Sequence, residues 1–175
     1  MKTKSAITIV ITLLALLILN AAADAQMRRR PKRFNKKATP VTSIGVRAGN
    51  DFEAEQLLLG GHLWLPVGIF WKFAPSFEYY FVEEEAGYNR WQFNADFMFK
   101  PRPRGAFYIG GGLAANYLNP EELDGEITYG GNVLAGLDFG RLKSPSIYPY
   151  IQARYTFMED ENYFSLLGGI NLILK

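Results

Sequence analysis

Seven charged side chains sit at alternating positions within apolar stretches of this sequence: Arg47, Lys72, Glu78, Arg90, Asp96, Asp138 and Arg154. With a side-chain period of two, each falls on one face of a strand, together with Gln92, Asn94, Asn132, Gln152 and Asn171. Charges gathered on a face withdrawn from water have to pair, since an isolated buried ion costs several kcal/mol. The chemistry these residues suit is an ion-pair and hydrogen-bond network. Glu78 and Asp96, on neighbouring strands of one hairpin, are its expected hubs, with Arg47, Lys72, Arg90 and Arg154 as their partners.

A second group is acidic and lies between the apolar stretches. Asp51, Glu53, Glu55, Glu83, Glu84, Glu85, Glu121, Glu122, Asp124, Glu126, Glu159, Asp160 and Glu161 make up thirteen of the seventeen acids, and they fall in four alternate connections. The other three connections, "PVGI", "KPRPRG" and "GRLKSPS", contain none. Carboxylates at that density offer the oxygen ligands that Ca²⁺ or Mg²⁺ takes, but the spacing is not that of an EF-hand loop. The simpler reading is a solvated, self-repelling rim, and no metal site is assigned.

Catalytic constellations are sparse. The single histidine, His62, has Gly60 and Trp64 as its same-face neighbours and no serine beside it. "GGG" at 110–112 lacks the following helix or lysine of a phosphate loop, and no nucleotide fingerprint or Cys/His cluster occurs. The sequence therefore points away from an enzyme and away from a cofactor.

Eight segments carry the alternation, over approximately 42–50, 56–66, 70–82, 89–100, 105–118, 126–140, 146–158 and 162–174. No stretch after Val41 keeps a helical apolar period over three turns. In "RWQFNADFMFK", residues 90–100, Trp91, Phe93, Ala95, Phe97 and Phe99 share one face, and Arg90, Gln92, Asn94, Asp96, Met98 and Lys100 share the other. An eight-stranded barrel is only wide enough inside for side chains to fill, so it cannot take all the aromatic faces inward. The opposite faces carry Gly45, Gly60, Gly110, Gly112, Gly130, Gly136 and Gly169, which suit a crowded lumen. The aromatic faces are therefore turned to lipid. Tyr79, Phe81, Trp91, Tyr117, Tyr129, Tyr155 and Phe164 form a girdle at the acidic end, and Trp71, Phe97, Phe99, Phe107 and Phe139 form one at the other.

The beginning of the chain reads as targeting sequence. Lys2 and Lys4 precede an apolar run from Ala6 to Leu19, and Ala23-Asp24-Ala25 is a small-x-small cleavage pattern. Residues 1–25 are thus expected to be a signal peptide. Residues 26–40 hold seven Lys or Arg and no acid, and are expected to be a flexible, solvated periplasmic segment. The domain proper spans 41–175. It has no cysteine, so no disulfide supports it.

Signal peptide, strand count, alternation and girdles together resemble the small bacterial outer-membrane β-barrels, the eight-stranded class of OmpA-like transmembrane domains and OmpX-like proteins. The resemblance covers 41–175 and rests on pattern rather than on a residue motif. It implies an all-β, up-and-down antiparallel transmembrane barrel with a side-chain-filled lumen. It also implies residence in the outer membrane among lipid and glycolipid, insertion by the outer-membrane assembly machinery, and a structural or interaction role as a monomer without nucleic acid. In one departure the final strand ends Leu174-Lys175, where such barrels commonly end in an aromatic residue. Two alternatives stand beside this reading. One is binding of an apolar small molecule, glycolipid or divalent cation at the acidic end; the other is a soluble, secreted, lipocalin-like carrier.

Overall fold

The computed structural model describes residues 41–82, 88–103, 105–120, 125–139, 146–159 and 161–174; the signal peptide and basic segment expected over 1–40 lie outside them. Among the described residues, eight strands follow in order: β1 Ser43–Asp51, β2 Gln56–Pro66, β3 Trp71–Phe81, β4 Tyr88–Phe99, β5 Phe107–Pro120, β6 Glu126–Asp138, β7 Ile147–Met158 and β8 Asn162–Ile173. Each pairs antiparallel with the next, and β8 pairs with β1, closing the barrel. Closure leaves no strand edge, so the backbone groups of every strand are bonded on both sides.

The alternation places each strand to within two residues. The displacement at β5 has a local cause: the pattern predicts 105–118, whereas Tyr88 and Asn89 of β4 pair with Pro120 and Asn119 and carry β5 two residues further.

The stagger of the ring can be followed from Arg47. In one direction its row runs through Gly60, Glu78, Gln92 and Asn116 to Thr128, and in the other through Gly169 and Tyr150 to Asp138. The two routes meet on β6 ten residues apart. With ordinary strand rise and spacing, that stagger tilts eight strands by roughly 40° from the barrel axis. Rows of paired residues therefore climb around the wall, and residues far apart in strand order reach the same height.

Burial follows the pleat. β4, for example, alternates between buried Arg90, Gln92, Asn94, Asp96 and Met98 and outward Trp91, Phe93, Ala95 and Phe97. Space inside is short. A Cβ on Gly112 would lie 2.2 Å from the Ala95 carbonyl oxygen and 2.6 Å from Asp96 Oδ1, whereas Gly168, facing out, has nothing within 4 Å. Gly112→Val is therefore expected to lower folded stability by at least about 1–3 kcal/mol through overpacking. Gly168→Ala is expected to stay within about 0.5 kcal/mol of the parent. Urea titration of the folded barrel, followed by tryptophan fluorescence, reads both; equal midpoints for the two variants would contradict the crowded lumen.

Candidate functional site: the barrel interior and its rim

Glu78 is the hub of the interior. Fully buried on β3, it accepts from Arg154 Nη1 at 2.8 Å, a second bond from Arg154 Nη2 completes a fork, and Arg47 pairs with the same carboxylate from β1. Arg47 also donates to Ser76 Oγ. From there the bonds continue through neutral groups. Asn94 Nδ2 donates to Ser76 Oγ at 3.2 Å, and Gln92 Nε2 to Asn94 Oδ1 at 2.7 Å. Asn132 Nδ2 reaches both Asn94 Oδ1 and Asp96 Oδ1 at 2.9 Å, and its own Oδ1 accepts from Thr156. Strands β1, β3, β4, β6 and β7 are thus tied across the lumen at mid-height.

Toward the acidic rim, the Arg90 guanidinium lies 4.0 Å from the ring centres of both Tyr80 and Tyr163. It donates to Gln56 Oε1 at 3.2 Å and Asn116 Oδ1 at 3.3 Å, and stands 3.7 Å from Asp51 Oδ2. At the opposite end an aromatic floor closes the lumen, formed by Trp64, Tyr108, Tyr148 and Tyr150 with Met98 and Leu134. Lys72 lies 4.7 Å above the Trp64 ring, and Lys100 pairs with Asp138 at 2.5 Å.

The seven residues singled out by alternation all point inward, but the pairing expected among them needs correction. Of the four candidate partners, Arg47 and Arg154 reach Glu78, while Arg90 and Lys72 do not. Asp96, expected to be a hub, has no ion pair among the described residues and is held by Asn132. Asp138 is served by Lys100. The reason is height: Lys72 stands six residues from Glu78 along β3, Arg90 pairs with Tyr80 while Glu78 faces Gln92, and for charges on distant strands the ten-residue stagger decides which share a level.

Parity with His62 and Glu78 places Trp64 and Tyr80 inward from the sequence alone, whereas Tyr108, Tyr148, Tyr150 and Tyr163 are not singled out by it. Tyr80, Tyr108, Tyr148, Tyr150 and Tyr163 are buried, and each hydroxyl has a partner: Gln92, Gln152, Ser43, His62 and Glu161 respectively. No described phenylalanine is buried. The hydroxyl is the signal that could have sorted them, since a Tyr in a polar interior can satisfy itself and a Phe leaves its neighbours unbonded.

His62 belongs to this floor. Its Nε2 donates to Asn171 Oδ1 at 2.9 Å, and its Nδ1 accepts from the Tyr150 hydroxyl at 3.3 Å, an arrangement that a neutral imidazole completes. Other buried donors have no protein acceptor among the described residues, including Arg47 Nε, Gln152 Nε2, Arg154 Nε and Asn171 Nδ2, together with the Ser165 hydroxyl on β8. They gather on the β7, β8 and β1 side of the lumen. Polar interiors satisfy such groups with ordered water.

At the rim, Asp51 is buried and its Oδ1 accepts from the backbone N–H of Glu53 and Ala54, shaping the turn in which Glu55 takes a left-handed φ of 55°. Glu53 accepts from Phe164 N at 2.6 Å and Glu161 from the Tyr163 hydroxyl at 2.8 Å, while Glu159 is exposed. Glu83, Glu84, Glu85, Glu121, Glu122, Asp124 and Asp160 lie outside the described residues. Among the described residues, no three Asp, Glu or His side chains are grouped to hold a metal ion.

No protein-family model matches the chain, and no curated protein matches it. Solved structures match in shape. The N-terminal β-barrel domain of Pseudomonas aeruginosa OprF is similar with a TM-score of 0.63 at 14% identity, over 76% of this chain and 96% of that one. Neisserial surface protein A (NspA) gives 0.57 at 12%, over 77% and 96%. A de novo designed transmembrane β-barrel gives 0.50 at 13%, over 77% and 95%. The fold is that of eight-stranded outer-membrane barrels.

Because one carboxylate serves two guanidiniums, its loss strands both. Glu78→Gln is expected to cost about 3–5 kcal/mol, and Arg154→Met less, since Arg47 still neutralises Glu78. Replacing all three together by apolar residues should recover most of the loss. Urea midpoints of the folded barrel in lipid vesicles rank the variants, and an Arg154→Met loss exceeding that of Glu78→Gln would overturn Glu78 as the hub.

Proposed function

We propose that this chain is an integral outer-membrane β-barrel protein, exported through a cleaved signal peptide and inserted by the assembly machinery, with a structural or interaction role at the cell surface and no catalytic one. The observation that carries this is the inversion of polarity between wall and lumen. Every strand contributes a large apolar side chain to the outer surface at mid-barrel: Val46, Leu59, Phe77, Phe93, Leu113, Val133, Ile151 and Ile170, all exposed. The inside holds Arg154, Glu78, Gln92 and Asn171, all under 2% exposed. In water that arrangement would leave a continuous apolar belt wet and charges dry; in a bilayer both are where the solvent favours them.

The soluble-carrier alternative fits poorly for the same reason. A carrier keeps its apolar space inside, and this lumen is occupied by Trp64, Tyr80, Tyr108, Tyr150 and Arg154. An acyl-chain enzyme would need a nucleophile on His62, whose ring nitrogens are bonded to Asn171 and Tyr150. The same packing supports a plug rather than a conducting pore.

Heat-modifiability tests the reading. Protein extracted from the membrane fraction in mild detergent should migrate faster unboiled than boiled on a denaturing gel. Recovery in the soluble fraction with no shift would overturn it.

A further inference from the structure

A groove of about 610 Å³ crosses the outer wall of the barrel. Its floor is made of small residues, Gly111, Ala135 and Ala153, and Phe97, Phe99 and Tyr155 stand at its sides. Two adjacent rows form it, one through Phe97, Gly111, Val133 and Tyr155, the other through Phe99, Ile109, Ala135 and Ala153. Followed from Trp71 on β3 to Phe164 on β8, both of which line it, the groove spans five strand spacings, roughly 24 Å. It climbs as it goes. Trp71 opens β3 and Phe99 closes β4 at the end of the barrel whose connections carry no acid, whereas Phe164 lies just inside β8 at the acidic end.

We propose that this groove seats one acyl chain of an anionic phospholipid from the inner leaflet, with the lipid phosphate held at Arg102. The proposal rests on the outer-membrane reading above. Its length suits a single extended chain, and the small residues of its floor leave room for one between the flanking rings. Charge decides which leaflet supplies it. Arg102 is exposed in the turn three residues past Phe99, and the indole of Trp71, half exposed and 4.9 Å from the Phe99 ring, sits at the same level. A phosphate entering there meets a guanidinium and an interfacial aromatic. At the upper end it would meet Glu53, which bonds the backbone N–H of Phe164, and exposed Glu161. A second copy of the chain would have to fill a concave, rising slot with a protruding ridge, while the flanks here are themselves the ridges.

The test uses the full barrel in phosphatidylcholine vesicles doped at low mole fraction with phosphatidylglycerol or phosphatidylcholine brominated on the acyl chain. Trp71 fluorescence is isolated as the difference between the parent and Trp71→Phe. Brominated phosphatidylglycerol is expected to be enriched at Trp71 about fivefold over brominated phosphatidylcholine, the ratio that one basic residue at a membrane surface supplies. Arg102→Gln should abolish that preference. Ala153→Phe, or Ala135→Leu if the first fails to fold, should reduce quenching by both lipids. Equal quenching by the two lipids in the parent would overturn the proposal, as would a parent dimer in native mass measurement that Ala153→Phe converts to monomer. The gel shift on boiling keeps the two readings apart: a barrel that shifts without lipid preference refutes the seat alone, and one that never shifts refutes the membrane placement beneath it.

Discussion

Ring closure at eight strands and a stagger of ten residues sets everything else in this molecule. A barrel of that size encloses a column only as wide as the side chains that point into it. Each inward position is therefore part of a packing problem, and small residues are forced wherever two large ones converge. Gly45 faces the His62 ring, Gly136 the Tyr108 ring and Gly169 the Tyr150 ring, each close enough that a Cβ would collide. The large aromatic floor and the lumen glycines are one feature seen from two sides.

The same closure dictates polarity. On the membrane placement proposed above, hydrocarbon lies outside, and the interior is where charged and amide side chains find partners, which they do with each other. The Glu78 carboxylate is shared between Arg154 and Arg47, and the Asn94–Asn132–Asp96 bonds extend the contact to β4 and β6. Tyrosine finds a partner in the polar interior or at its rim through its hydroxyl, as the five buried Tyr do, while the described phenylalanines stay on the wall. A buried polar network of this kind is costly to satisfy in part, which favours one arrangement of the strands over its slipped alternatives.

Much of this was legible in the sequence because the side-chain period of a strand is two, and a charged residue flanked by aromatics announces its face. Arg90 beside Trp91, and Asp96 between Ala95 and Phe97, could be sorted without coordinates. Partnership could not. Lys100 and Asp138 meet across the intervening β5, and Arg90, one pair along from Glu78 in the β3–β4 register, finds Asp51, Gln56 and Asn116 instead, because shared height depends on the registers between strands. Between distant strands those registers add up, and the alternation of a single strand does not contain them. Tyr80 sorts inward by its parity with Glu78, but Tyr108, Tyr148, Tyr150 and Tyr163 are hidden differently: treated as aromatics, they resemble Phe, and only their hydroxyl chemistry separates them.

On the proposed reading of a side-chain-filled lumen, function is displaced from the interior of this protein. The bonds that stabilise the interior occupy the groups that a pore or an active site would need: His62 has both nitrogens engaged, Glu78 has no oxygen without a guanidinium, and Arg90 is clasped between two rings. On that reading, the outside of the barrel remains. The wall offers shape without charge, broken where Gly111, Ala135 and Ala153 lower it, and the two ends offer charge of opposite sign, acidic at one and basic at the other. Recognition by such a body has to be read from wall relief and end charge, and the interior serves it by keeping both rigid.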